Sequence, residues 1–280
     1  MTSSARLALA AALLAASAAA ADPYDFQIHK IGNPAGDADA HGNFQAFVRR
    51  LGAALTSVGL TPPETLGHSA FAVNAELSLV QLHQDDQNIF PTERLAFAEG
   101  SRQVVRPGVE GGLLIPSVHV RKGLPFSLEL GARAAWIEKS RMTAGTAELK
   151  WAINEGFGYL PDVSLRGSVT KLFGTRDFDL TAGGADLAVG KEFAIGGMIT
   201  LTPYVGWNLV WVGASSNTID FKPDRPFEEG ICGPDYPASC DRNAQISGPD
   251  TGVYDEVPLG DNSHNRFYAG VRFIGGIIQL

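Results

Sequence analysis

From about residue 66 onward the chain alternates apolar and polar side chains. Residues 163–173, VSLRGSVTKLF, put Val163, Leu165 and Val169 on one face of an extended chain and Ser164, Arg166, Ser168 and Thr170 on the other. A period of two marks a β-strand whose faces meet unlike surroundings. The same texture recurs at about 69–83, 108–121, 126–138, 144–156, 177–192, 198–213 and 265–280. Phe71, Val73, Leu77 and Leu79 share a face, as do Val118 and Val120, Leu128 and Leu130, Leu149 and Trp151, and Phe267, Val271 and Phe273. In 177–192 the parity changes from Phe178, Leu180 and Ala182 to Ala185, Leu187 and Val189, and a β-bulge is expected at Gly183-Gly184. Before the strands, Phe44, Phe47, Val48, Leu51, Leu55 and Val58 recur at helical spacing after Asn43, and Pro62-Pro63 stop them. This helix is expected to pack on the domain or to close a periplasmic mouth.

The connectors sort by length. Those after the first and seventh strands, 84–107 and 214–264, are long, and the others are short or moderate. Both long ones follow odd-numbered strands and so leave the same end of a meander. Short turns at one end and long loops at the other are the layout of an outer-membrane barrel. The pattern therefore predicts an all-β, antiparallel up-and-down transmembrane barrel of eight to ten strands, spanning residues 66–280, behind a lead and helix at 22–65.

The polar faces test this layout. They carry Glu76, His119, Glu129, Arg133, Glu148, Lys150, Arg166 and Arg272 among Gly, Ser and Thr. A charge facing lipid at mid-depth costs about 2–4 kcal/mol, so in a membrane barrel these eight must line the lumen. An eight-stranded barrel is only wide enough for its own side chains, so opposite charges inside are expected to pair as one network. On a soluble sheet the same residues would face water.

Composition agrees with many strands and turns: Gly 32 and Met 3, with 19% charged residues. A net charge of −8 argues against a nucleic-acid partner. Residues 1–21 read as a secretory leader: Arg6, an apolar run from Leu7, then small residues up to Ala21. Export makes a disulfide between Cys232 and Cys240, in ICGPDYPASC, the expected state of the two cysteines.

The stretches LPDVSLRGSVTKLFG, DFDL…ADLAVGKEF and LTPYVGW, with LGHSAFAVNAELSLVQLH near the start, resemble Gram-negative outer-membrane β-barrel proteins of the small OmpA-like or porin-like kind. The resemblance covers about half of the chain and rests on structural motifs. It implies residence in the outer membrane, with lipids, lipopolysaccharide and the barrel-assembly machinery as partners, and it names no substrate. Such barrels usually end on an aromatic residue, whereas this sequence ends Ile277-Ile278-Gln279-Leu280.

Candidate chemistry is thin. His83, Asp85, Asp86, His264 and the Ser117/His119 pair are the groups that a lipid-modifying enzyme could use. No G-x-S-x-G, H-E-x-x-H or phosphate-binding loop accompanies them. The expectation is a non-enzymatic barrel without cofactor or metal, serving structure, surface recognition through its long loops, or passage of small solutes. A periplasmic lipocalin-like binding protein and a lipid-modifying barrel enzyme are the alternatives.

Overall fold

The computed structural model describes Phe26 and residues 28–80, 96–98, 101–103, 113–138, 140–157, 159–195, 199–221, 251–260, 263–275 and 278–279. Its frame is a meander of long strands: β1 (Phe71–Val80), β2 (Leu113–Leu124), β3 (Leu128–Trp136), β4 (Thr143–Asn154), β5 (Asp162–Phe173), β6 (Phe178–Gly190), β7 (Ile199–Ser216) and β8 (Ser263–Gly275). Each pairs antiparallel with the next along the chain. Phe193–Ile195, beside β7, and Ile278–Gln279, beside β8, complete a ten-stranded sheet. The sheet curls into a half-barrel, with β1 along one edge and β8 along most of the other. Connectors 81–112, 137–142, 174–177 and 217–262 leave one end of it, here called the loop end.

All eight strands read from the alternation form. The bulge expected at Gly183-Gly184 does not: β6 keeps an unbroken register with both neighbours. The register shift that does occur lies between β4 and β5, at Ala152 and Asn154. Phe178, Leu180 and Ala182 instead face the concave side with Asp186, while Ala185, Leu187 and Val189 face outward. The parity of apolar residues changes because the material behind the sheet changes along its height.

At the loop end that material is a helix. α1 (Ala40–Leu55) is the one helix expected, and of its two expected placements the structure gives packing on the domain. Its stripe of Phe44, Phe47, Val48, Leu51 and Leu55 is buried from the concave side against strand ends, among them Ile115, Leu172, Leu180 and Val212. Phe47 meets Phe26 at 5.6 Å and Phe178 at 6.0 Å, both nearly edge-on. Tyr254, in the segment before β8, stacks on Phe44 at 4.5 Å and donates its hydroxyl to the carbonyls of Ile28 (3.1 Å) and Gly32 (2.7 Å). Burial, and to a lesser degree Asp37, raise the pKa of that hydroxyl.

The helix lies tight against the sheet at Gly52. A methyl there would lie 2.5 and 2.7 Å from the two methyls of Val212. Overpacking of this kind costs about 1–3 kcal/mol. Gly52→Ala is expected to destabilise by that amount in urea unfolding followed by tryptophan fluorescence. The double change with Val212→Ala should cost less than the two single changes together, because they share one contact.

Candidate functional site: the filled concave side

Strand period brings the polar parity of every strand to the concave side, and burial follows it. Ser117, His119, Arg121, Glu129, Arg133, Glu148, Lys150, Arg166 and Asp186 are all buried. The antiparallel register sets partners opposite one another: His119 across from Arg133, Glu129 from Lys150, and Arg166 from Asp186. Gly131, across from Glu148, leaves the room that its carboxylate occupies.

One continuous network results. The His119 ring lies between two carboxylates, with Nδ1 2.9 Å from Glu76 Oε1 and Nε2 2.6 Å from Glu148 Oε1. Arg133 Nε lies 3.2 Å from Glu76 Oε2 and donates to Ser117 Oγ at 2.9 Å. Arg166 donates to Glu148 Oε2 at 2.6 Å and, through Nε and a terminal nitrogen, to Asp186 Oδ2 at 3.1 and 2.8 Å. Ionised carboxylates only accept, so the form of His119 that satisfies both contacts carries a proton on each nitrogen. Three carboxylates then balance two guanidiniums and one imidazolium. Burial of such charges is sustainable only when they are paired and hydrogen-bonded like this.

Five of the eight residues read from sequence belong to this network: Glu76, His119, Arg133, Glu148 and Arg166. Glu129 and Lys150 lie in a second group, where Glu129 accepts from Arg121 at 3.1 Å and approaches Lys150 at 3.9 Å. Arg272 forms a third, with Glu64, with Glu192 at 3.7 Å, and with the Thr202 hydroxyl at 3.2 Å. Arg121, Asp186, Asn208 and Arg266 are members that the sequence reading did not single out. Asp186 was findable, because it stands opposite Arg166 once β5 and β6 are put in register. Cys232 and Cys240, like His83, Asp85 and Asp86, lie outside the described residues.

The same cations hold a second guest. After α1 the chain descends along the concave side to reach the start of β1. Arg266 donates to the Ala53 carbonyl at 2.5 Å and Arg133 to that of Leu55 at 3.2 Å. Arg166 donates to both the Ser57 hydroxyl and its carbonyl at 2.9 Å. These carbonyls belong to the last turn of α1 and its exit, where backbone acceptors lack helical donors and the helix dipole is negative. Lower down, Lys150 Nζ donates to the carbonyls of Pro62 (2.9 Å) and Glu64 (2.7 Å), and the Leu66 amide donates to Glu129 at 3.0 Å. The Thr65 amide donates to Glu155 at 2.7 Å. Burial opposes the charge of Glu155, but hydrogen bonds from Ser127 and Thr65 hold its pKa below the ordinary value.

The convex face is the inverse. Leu77, Val118, Leu130, Leu149, Trp151, Val169, Val205 and Phe267 all stand exposed on it, Phe267 at 81%. Soluble monomers rarely present contiguous apolar patches beyond a few hundred Å².

Chemically the network is closed. With both nitrogens of His119 held by carboxylates, neither is left to activate the Ser117 hydroxyl, which engages Arg133 and Glu76 instead. This pair does not build a serine–histidine–acid relay. Among the described residues no group of three or more His, Cys, Asp or Glu is arranged to hold a metal ion, and no helix is long and apolar enough to cross a membrane. No family model, no curated protein and no solved structure matches the chain.

Proposed function

We propose that the chain is an outer-membrane β-barrel protein of a Gram-negative bacterium, filled by its own N-terminal segment, which anchors and displays its long connectors at the cell surface. The observation that carries this reading is the distribution of side chains across the sheet: paired ions and a helix on the concave side, open rows of Leu, Val, Trp and Phe on the convex side. In lipid every backbone polar group must find a partner within the protein. The reading therefore has β1 and β8 pair and close the barrel; they run in opposite directions, as that closure needs. A lipocalin-like protein would turn its apolar rows inward, against what is found. A conducting pore is disfavoured because the concave side is occupied by residues 40–66, and a lipid-modifying enzyme finds no relay at His119.

The proposed surroundings are phospholipid and lipopolysaccharide, with the barrel-assembly machinery as the route of entry after export. Recognition by the long connectors, of a ligand the sequence does not name, is the role this architecture serves. Cell fractionation and gel migration before and after boiling test the reading. Recovery with outer membranes and heat-modifiable migration are expected; release by osmotic shock would sink it. A sharper measurement is Val169→Arg at mid-strand on the convex face. Facing hydrocarbon it costs about 2–4 kcal/mol, whereas on a solvated face a surface change stays within about 0.5 kcal/mol. Urea titration of the protein refolded into vesicles separates the two.

A further inference from the structure

The convex face is hollowed over β6 to β8. Two adjoining hollows of about 550 and 670 Å³ share Val189, Val205 and Ala269. Register explains the shape. Val189, Val205 and Ala269 stand side by side on β6, β7 and β8, a cross-strand row of small side chains. The next row toward the loop end is Leu187, Trp207 and Phe267, which forms a ledge. On the other side Phe193, seated beside Leu201, and Pro161 form the opposite wall. Beneath it, on the concave side, the rings of Tyr268 and Tyr204 pack across Gly206 and Gly270. The result is a shallow, open apolar trough that crosses three strands.

The end of the trough on β6 carries a cation. Lys191 lines it, and its ammonium is held there by the carbonyls of Phe157 (3.1 Å) and Leu160 (2.9 Å). It lies in the turn at the end of the sheet opposite the long connectors. On the proposed reading, on which this inference rests, that end faces the periplasmic leaflet. Strands tilt by roughly 35–45° in such barrels, so a row running across them climbs from that leaflet toward the bilayer centre. An aliphatic chain in the row with an anionic head beside the ammonium has the shape and charge that the trough offers.

We propose that the trough is a binding site for one anionic phospholipid of the periplasmic leaflet: an acyl chain in the Val189–Val205–Ala269 row and a phosphate at Lys191. The site is distinct from the general lipid annulus because it has walls, an end and a charge.

The test uses the full-length protein refolded into vesicles of phosphatidylcholine with a minor share of phosphatidylglycerol, then extracted in mild detergent for mass spectrometry of retained lipid. About one phosphatidylglycerol per chain is expected. Ala269→Phe, which fills the row, should abolish retention. Lys191→Gln should lower it by about fivefold, equivalent to ~1 kcal/mol. Equal retention by wild type and both variants would overturn the site. So would retention of phosphatidylcholine in preference to phosphatidylglycerol, or, from native membranes, of lipopolysaccharide alone. Should Ala269→Phe fail to fold, Lys191→Gln and the choice between the two lipids still decide. A chain that never enters the vesicles would count against the barrel reading itself, and that outcome differs from insertion without lipid retention.

Discussion

Arg166→Met is expected to be among the most damaging single changes in the molecule, costing about 3–5 kcal/mol. The side chain is buried and its guanidinium serves Glu148, Asp186 and both oxygens of Ser57. Methionine keeps much of the volume and removes every donor. Asp186 would then stay in the interior without its counterion, Glu148 would keep only His119 of its two cationic partners, and the carbonyl beyond α1 would lose its partner. Desolvation of the orphaned groups dominates, because a buried polar atom without a partner costs more than its bond contributed. Removing Asp186 as well, with Leu, should recover part of the loss, because the two residues belong to one network. Urea titration, read by gel migration of folded and unfolded forms, gives both numbers. Lys171→Met is the control: its contact with Asp179 at 3.0 Å lies between exposed side chains, and such pairs contribute about 0–1 kcal/mol. A cost below 1 kcal/mol at Arg166 would mean that water reaches and solvates the network.

Phe47→Ala should cost a similar amount for a different reason. The ring is 1% exposed and sits between Phe26 and Phe178, which join it from the N-terminal lead and from β6. Truncating a buried phenylalanine costs about 3–5 kcal/mol, the lost transfer free energy plus the cavity left behind. The change is confined to the loop end, so it should loosen α1 while leaving the ionic groups below it paired. Hydrogen exchange would show this as faster exchange across Ala40–Leu55 with little change in the middle of β4 and β5. Uniform acceleration across both regions would mean that helix and sheet open as one unit.

The strands were legible because a period of two survives in every one of them, from Phe71 to Phe273. The ionic residues were legible for the same reason: once parity is fixed, Glu148 and Arg166 can only lie on the side away from Leu149 and Leu165. The occupant of the loop end was harder to see. Leu113 and Ile115 precede Ser117 and His119 on one parity of β2, and Val210 and Val212 follow Asn208 on one parity of β7. Phe178, Leu180 and Ala182 precede Asp186 in the same manner. In each strand the apolar residues on the polar parity lie toward the same end. Together with an amphipathic helix in need of a partner, that coincidence points to a helix inside, whereas each strand taken alone suggests only a slipped register. The descent from Thr56 to Leu66 was not legible. It is held largely through its own backbone carbonyls and amides, and those leave no trace in the choice of side chain.

The direction of that descent bears on protein engineering. Phe26 packs near the start of β6, at the end from which 81–112 and 217–262 depart, and the chain then travels the height of the sheet before β1 begins. An epitope fused directly ahead of Phe26 therefore starts beside the long connectors, and on the proposed orientation it should bind antibody on intact cells. An amino terminus in the periplasm, the opposite orientation, would leave the same tag out of reach of antibody until the cells are opened.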